Sequence, residues 1–285
     1  MSGRRGFTLI ELMLSLTIML IVTGAIYRLI VSSQRITRAQ AERVSLQSNV
    51  RIGSLAVLSD LRELNTVLGG SAAENDILAI AANSITYRGM RGTGVICQAP
   101  TATQVRISRN SFIGYRDPQP VRDSAYVFID GDPDTEADDA WLSVGITAVS
   151  AATPCPGILG EGITLTTPNT AALAGLPTGT PVRIFEVMEL TLHQEDGRSW
   201  LGARSVSADE PVRPVLGPLV DGNGFSLAYL NAAGAVTPDR TAVKSIQLTL
   251  RGISEGAINP GIEGALSPAQ EELISQITLR NAFRP

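Results

Sequence analysis

The sequence holds one histidine, His193, and two cysteines, Cys97 and Cys155. Two isolated cysteines do not make a zinc constellation. Gly252-Ile253-Ser254-Glu255-Gly256 matches a nucleophile pattern that requires a helix next, then an acid and a histidine later in the chain. The chain continues instead with Ala257-Ile258-Asn259-Pro260-Gly261, a turn, and His193 lies upstream. The match is therefore read as accidental: no catalytic residue is assigned and no enzyme is expected. His193 reads as a partly exposed polar residue of a strand. Positive charge is not in surplus, since the formal net charge is −4 at pH 7. That balance argues against general nucleic-acid binding, which needs a basic surface. Lysine is nearly absent, with Lys244 alone among arginines, and this supports no functional reading. Internal repeats and a clean domain linker are also missing.

What is present is enough apolar residue to fold. With 44% hydrophobic and 18% charged residues over 285 positions, the chain is a folded protein of one large or two modest domains. Gly6-Phe7-Thr8-Leu9-Ile10-Glu11-Leu12 organises the rest. From Phe7 to Val31 the residues are almost all apolar or small. About 20 such residues in a helix cross a bilayer core. Arg4 and Arg5 precede the span, which holds the N-terminus in the cytoplasm and exports everything after it. A secretory signal would place a small-residue cleavage site after a shorter apolar core. Here the Gly6-Phe7 junction comes before the apolar run, so cleavage there would leave the helix on the mature chain. Glu11 inside the span is costly, by roughly 2.5–3.5 kcal/mol on insertion scales, and is a functional candidate for that reason.

This stretch resembles the prepilin cleavage and methylation motif of type IV pilins and type II secretion pseudopilins, and all seven residues fit. The resemblance implies cleavage after Gly6 by a prepilin peptidase and N-methylation of the new terminus, Phe7. It also implies that Glu11 pairs with the terminal amine of a neighbouring subunit in a filament. Removing either member of such a pair would leave an unpaired charge in an apolar core.

From Ser32 to Leu68 there is no proline, and Leu46, Val50, Gly53, Val57, Leu61, Leu64 and Leu68 recur in steps of three and four. That is the spacing of one face of an amphipathic helix. Phe7 to about Leu68 therefore reads as one long helix stopped at Gly69-Gly70, the alternative being a break near Gly24 or at residues 28–33. The organisation expected is a leader at 1–6, a membrane or filament-core helix at 7–31, its amphipathic continuation at 32–70, and an extracytoplasmic β-rich domain at 71–285.

In that domain, runs at 77–81, 84–87, 104–108, 125–129, 225–230 and 243–250 read as strands. Residues 182–193 and 200–206 flank Asp196-Gly197, a strong hairpin signal. Residues 274–279 could form an edge strand. Residues 148–181 and 256–270 are rich in Gly, Pro, Ala and Thr and read as long loops. The fold class expected is α+β, with the long helix packed on a mainly antiparallel β domain.

The exported orientation places Cys97 and Cys155 where disulfides persist, so a bridge is expected, with free buried thiols the alternative. Asp130, Asp132, Asp134, Glu136 and Asp138 place hard oxygens at alternating positions, which suits calcium. The loop lacks the sixth-position glycine and terminal glutamate of an EF-hand, so the expected reading is a solvated acidic turn with no cofactor, and a calcium loop is the alternative. Calcium is the single cofactor considered.

The chain is longer than major pilins usually are, and a large β domain resembles the PilW-like and GspJ-like group of minor pilins. Weaker local likenesses are the 182–206 hairpin, Asp221-Gly222-Asn223-Gly224-Phe225 and the closing Thr278-Leu279-Arg280-Asn281. The resemblance implies a subunit inserted in the inner membrane and built into a pilus or pseudopilus with other pilins, at or near its tip. Two other readings stay open: a ligand-binding tip module (adhesin or DNA uptake), and a membrane-anchored binding domain that is never processed.

Overall fold

In the computed structural model the described residues are 8–67, 75–131, 134, 139–156, 160–258 and 267–280. A single helix, α1 (Leu9–Arg62), opens the fold and runs unbroken through Gly24 and residues 28–33. At about 1.5 Å per residue its 54 residues span roughly 80 Å. The chain divides into two compact units. One holds residues up to Ser48 with Ser254–Ala269; the other holds Asn49–Ile253 with the residues from Gln270 onward.

Within the second unit the C-terminal turns of α1 bury the expected stripe. Val50, Gly53, Val57, Leu61 and then Leu64 are buried, while Ile52 and Leu55 on the other side are exposed. The helix stops at Arg62, short of Leu68. Competing backbone partners explain the stop. Asn65 N–H donates to Asp76 Oδ2 (2.8 Å), Asp76 N–H donates to the Asn65 carbonyl (2.9 Å), and Val67 N–H donates to Asn75 Oδ1 (2.6 Å). The freed Arg62 carbonyl accepts from Arg280 N–H at 2.9 Å. Asn and Asp side chains here offer the chain an alternative to continuing the helix.

The β region is antiparallel throughout its described pairings. β1 (Ile77–Ala81) pairs with the start of β2 (Ser84–Thr101), a strand of 18 residues. β2 lies along β9 (Pro181–Glu195) from Ser84↔Thr191 to Val95↔Pro181, with a bulge between Met90 and Gly92. β10 (Arg198–Ser205) folds back on β9 through Asp196-Gly197, both at positive φ (52° and 73°). That is the primed two-residue turn an Asp-Gly pair favours. β11 (Arg213–Leu219), β13 (Ser245–Ile258) and β12 (Phe225–Leu230) extend the sheet, and β14 (Ser267–Thr278) pairs with β13. The buried positions of β12 alternate strictly, and those of β13 do so from Ile246 to Leu250, as a sheet with one covered face requires.

The distal end of β2 leaves this sheet and pairs with β3 (Gln104–Ser108), followed by β8 (Glu161–Thr166) and β7 (Ala148–Pro154). Facing it, β5 (Asp123–Ile129) joins β9 on one edge and β6 (Ala140–Gly145) on the other. Ile96, Val105, Ile107, Val127, Ile163, Leu165, Val182 and Ile184 fill the space between. Residues 148–181, expected as a long loop, thus contribute β7 and β8. Their Ala, Thr and Gly content is weak strand signal on its own, and cross-strand partners decide the outcome. Part of the expected loop at 256–270 is likewise strand, the ends of β13 and β14.

Candidate functional site

The first candidate is the start of α1. Thr8 and Glu11 satisfy each other: Glu11 N–H donates to Thr8 Oγ1 (3.3 Å), while Thr8 N–H and Oγ1–H both donate to Glu11 Oε2 (3.1 Å each). This is a capping box, T-x-x-E, which serves the helix's otherwise unpartnered N–H groups. The pattern is written in Thr8-Leu9-Ile10-Glu11, and a reading of Glu11 only as a charge in an apolar span misses it. Both residues are exposed, and Glu11 Oε1 takes no partner among the described residues. Beyond them every side chain to Ile30 is exposed, with Leu9 at 81%. This is the one described helix long and apolar enough to cross a membrane. Gly6, Phe7, Arg4 and Arg5 lie outside the described residues.

A second constellation was not visible in the sequence. Glu186 on β9 is buried and meets three arginines. Its Oε2 lies 2.8 Å from Arg91 Nε and 3.2 Å from Arg116 Nη2, and Oε1 lies 2.6 Å from Arg122 Nε, off the hydrogen-bonding direction. Arg116 also forks onto Asp123, at 2.5 and 2.8 Å, and Arg122 reaches Glu210 at 2.6 Å. Burial works to raise the Glu186 carboxyl, but hydrogen bonds from Arg91 and Ser205 and the Arg91 and Arg122 charges outweigh it and hold it below the usual range. The cluster ties residues 115–122 to β9 and β2. Just before that tie, β4 (Ile113–Gly114) pairs with Gly92 and Thr93 of β2. Together they frame an open groove of about 890 Å³ whose lining includes Asp60, Asp76, Tyr115 and Arg183. Burial pushes the Asp76 carboxyl up to about 6, against the Asn65 hydrogen bond and the Arg88 and Arg183 charges.

Cys97 and Cys155 are bonded, with Cα atoms 5.6 Å apart across 58 residues of sequence. The bridge joins β2 to the end of β7. Of the acidic run, Asp130 and Asp134 are exposed, and Asp132, Glu136 and Asp138 lie outside the described residues. Gly252 to Gly256 sits inside β13, not at a strand-to-helix turn, which removes the geometry a nucleophile at Ser254 would need. His193 is half-buried in β9.

Residues 1–27 match the family model described as the prokaryotic N-terminal methylation motif. No curated protein and no solved structure matches the chain. The match supports the pilin and pseudopilin resemblance over the leader and the first turns of α1, in a family whose subunits are structural and are processed by a prepilin peptidase. An apolar N-terminal helix is consistent with a membrane-anchored pilin.

Proposed function

We propose that the chain is a minor pilin or pseudopilin, a structural subunit and not an enzyme, built into a type IV pilus or a type II secretion pseudopilus. The observation that carries this reading is the methylation motif at residues 1–27 joined to a helix whose apolar surface from Leu9 to Ile30 is exposed among the described residues. In this reading Arg4 and Arg5 keep the leader in the cytoplasm, the inner membrane holds residues 7–31, and the β region lies in the periplasm. The peptidase cuts after Gly6, Phe7 is N-methylated, and the helix moves from lipid into a bundle of like helices formed with other pilins. The large β region suits a subunit at or near the tip.

The capping box sharpens the role of Glu11. In a single subunit the carboxylate closes the first turn of its own helix. In a filament its open oxygen is available to a neighbour's Phe7 amine, and the charge is then matched where it is otherwise expensive. Glutamine at the same position also completes a capping box. Glu11→Gln therefore separates the two roles. Mass spectrometry of the protein from its native membrane should show an N-methylated Phe7 terminus in both wild type and Glu11→Gln, with the variant failing to enter filaments. A chain still starting at Met1 or Ser2 would refute processing, and normal incorporation of the variant would refute the pairing role.

A further inference from the structure

The groove beside β4 has the character of a ligand site. Its wall is rigid: Ile113 and Gly114 are paired to β2, Tyr115 N–H donates to the Arg91 carbonyl at 3.0 Å, and the next residue, Arg116, is forked onto Asp123. Yet this fixed backbone presents Ile113 and Tyr115 to solvent, at 75% and 85% exposure. Isolated exposed apolar residues need no explanation. Here two neighbours stand on a locked segment at the lip of a groove, and the groove holds a buried acid with an open oxygen.

That acid is Asp76, 5% exposed. Its Oδ2 accepts from Asn65, and its Oδ1 accepts no hydrogen bond among the described residues. Asp60, also in the lining, likewise uses one oxygen, accepting from Tyr87 Oη at 3.0 Å. Neither oxygen is among the fully buried atoms that lack a partner, so both are open to the groove, where a ligand hydroxyl can donate to them. Arg183, also in the lining, lies over the Trp141 ring, 4.5 Å from its centroid, and has no ion-pair partner among the described residues. Its guanidinium can therefore donate to a ligand.

Charge chooses the ligand class. The lining carries Asp60, Glu63 and Asp76 against Arg91, Arg183 and Arg280. An anion would meet the three acids, and a cation would meet the three arginines. A neutral polyhydroxylated ligand satisfies both signs, because each hydroxyl donates one hydrogen bond and accepts others. The Tyr115 ring offers the apolar face against which the C–H face of a pyranose packs.

We propose that this groove binds a neutral oligosaccharide, with one pyranose against Tyr115 and its hydroxyls on Asp76, Asp60 and Arg183. The test uses the full chain in detergent micelles and saturation-transfer NMR. The probes are maltohexaose, cellohexaose, mannohexaose and chitohexaose, with sialyllactose and a mixed-charge hexapeptide as rivals, each at about 10 mM, well above the millimolar range of a weak complex. Transfer to at least one neutral hexasaccharide is expected. Tyr115→Ala and Asp76→Asn should each weaken binding roughly tenfold or more, about 1.4 kcal/mol, with the thermal midpoint of Tyr115→Ala unchanged. No transfer to any neutral probe would overturn the proposal. So would binding that survives both substitutions, or binding confined to sialyllactose or the peptide.

Discussion

Asp76 and Glu186 are both buried carboxylates, and their surroundings push them in opposite directions. Glu186 has three guanidinium neighbours; removing it would leave Arg91 without its carboxylate, while Arg116 keeps Asp123 and Arg122 keeps Glu210, and breaking a buried pair of this kind costs several kcal/mol. The stability it contributes is present above the ordinary glutamate range and is lost as pH falls through its lowered folded value. Asp76 behaves inversely. Its folded value of about 6 lies above its ordinary 3.8, so the folded chain holds the proton over a range where the unfolded chain has released it. Stability from this group is greatest below that range and falls as pH rises through it. A gap of this size corresponds to about 3 kcal/mol as an upper figure. Asp76→Asn keeps an oxygen for Asn65 N–H and removes the buried charge. Denaturant unfolding should therefore find the variant more stable than wild type at pH 7.5, by one to three kcal/mol on the same scale of about 1.4 per pKa unit, and the difference should shrink toward zero at pH 4. An equal difference at both values would show that Asp76 does not titrate in that window.

At the scale of elements, α1 and the sheet meet at Gly53. A Cβ built there would run into the side chain of Leu216 on β11, so the two backbones approach as closely as they do because no side chain intervenes. The same face carries Ser54, whose Oγ lies 3.3 Å from Ser275 Oγ of β14. Gly53→Val must displace Leu216 or part the elements, and overpacking of this kind costs about 1–3 kcal/mol. Chemical denaturation of the variant should show that loss. A variant as stable as wild type would mean that Leu216 finds another place. This contact also marks how far the sequence could be read. The stripe from Val50 to Leu64 was legible because helical periodicity is local, and Gly53 completed its spacing. β1, β3 and β12 were legible within a residue because apolar alternation and turn residues bracket them. β4, β6, β7, β8 and β11 were not: β4 has two residues, β7 and β8 are rich in Ala, Thr and Gly, β11 carries two prolines, and β6 holds no clean alternation, so partners far along the chain decide their conformation. Glu186 with Arg91, Arg116 and Arg122 failed for the same reason, because nothing local links residue 91 to residue 186.

At the scale of the molecule, the fold spends none of its interior on the start of α1. Every described side chain from Thr8 to Ile30 is exposed, while Val50, Val57, Leu61 and Leu64 are buried with the sheet. The first stretch therefore adds apolar surface to the unit that holds it without adding buried contacts, and its stability must come from lipid or from other helices. A chain shortened to begin at Ser32 loses those exposed residues and keeps every buried one among the described residues. It should dissolve without detergent, whereas the full chain should require it. Its thermal midpoint should match that of the full chain in detergent to within about 4 °C, roughly the shift produced by 1 kcal/mol in a domain of this size. A midpoint lower by ten degrees or more, on that same scale of about 2–4 °C per kcal/mol, would mean that residues before Ser32 support the fold. The uncovered helix could then no longer be read as a surface held for assembly.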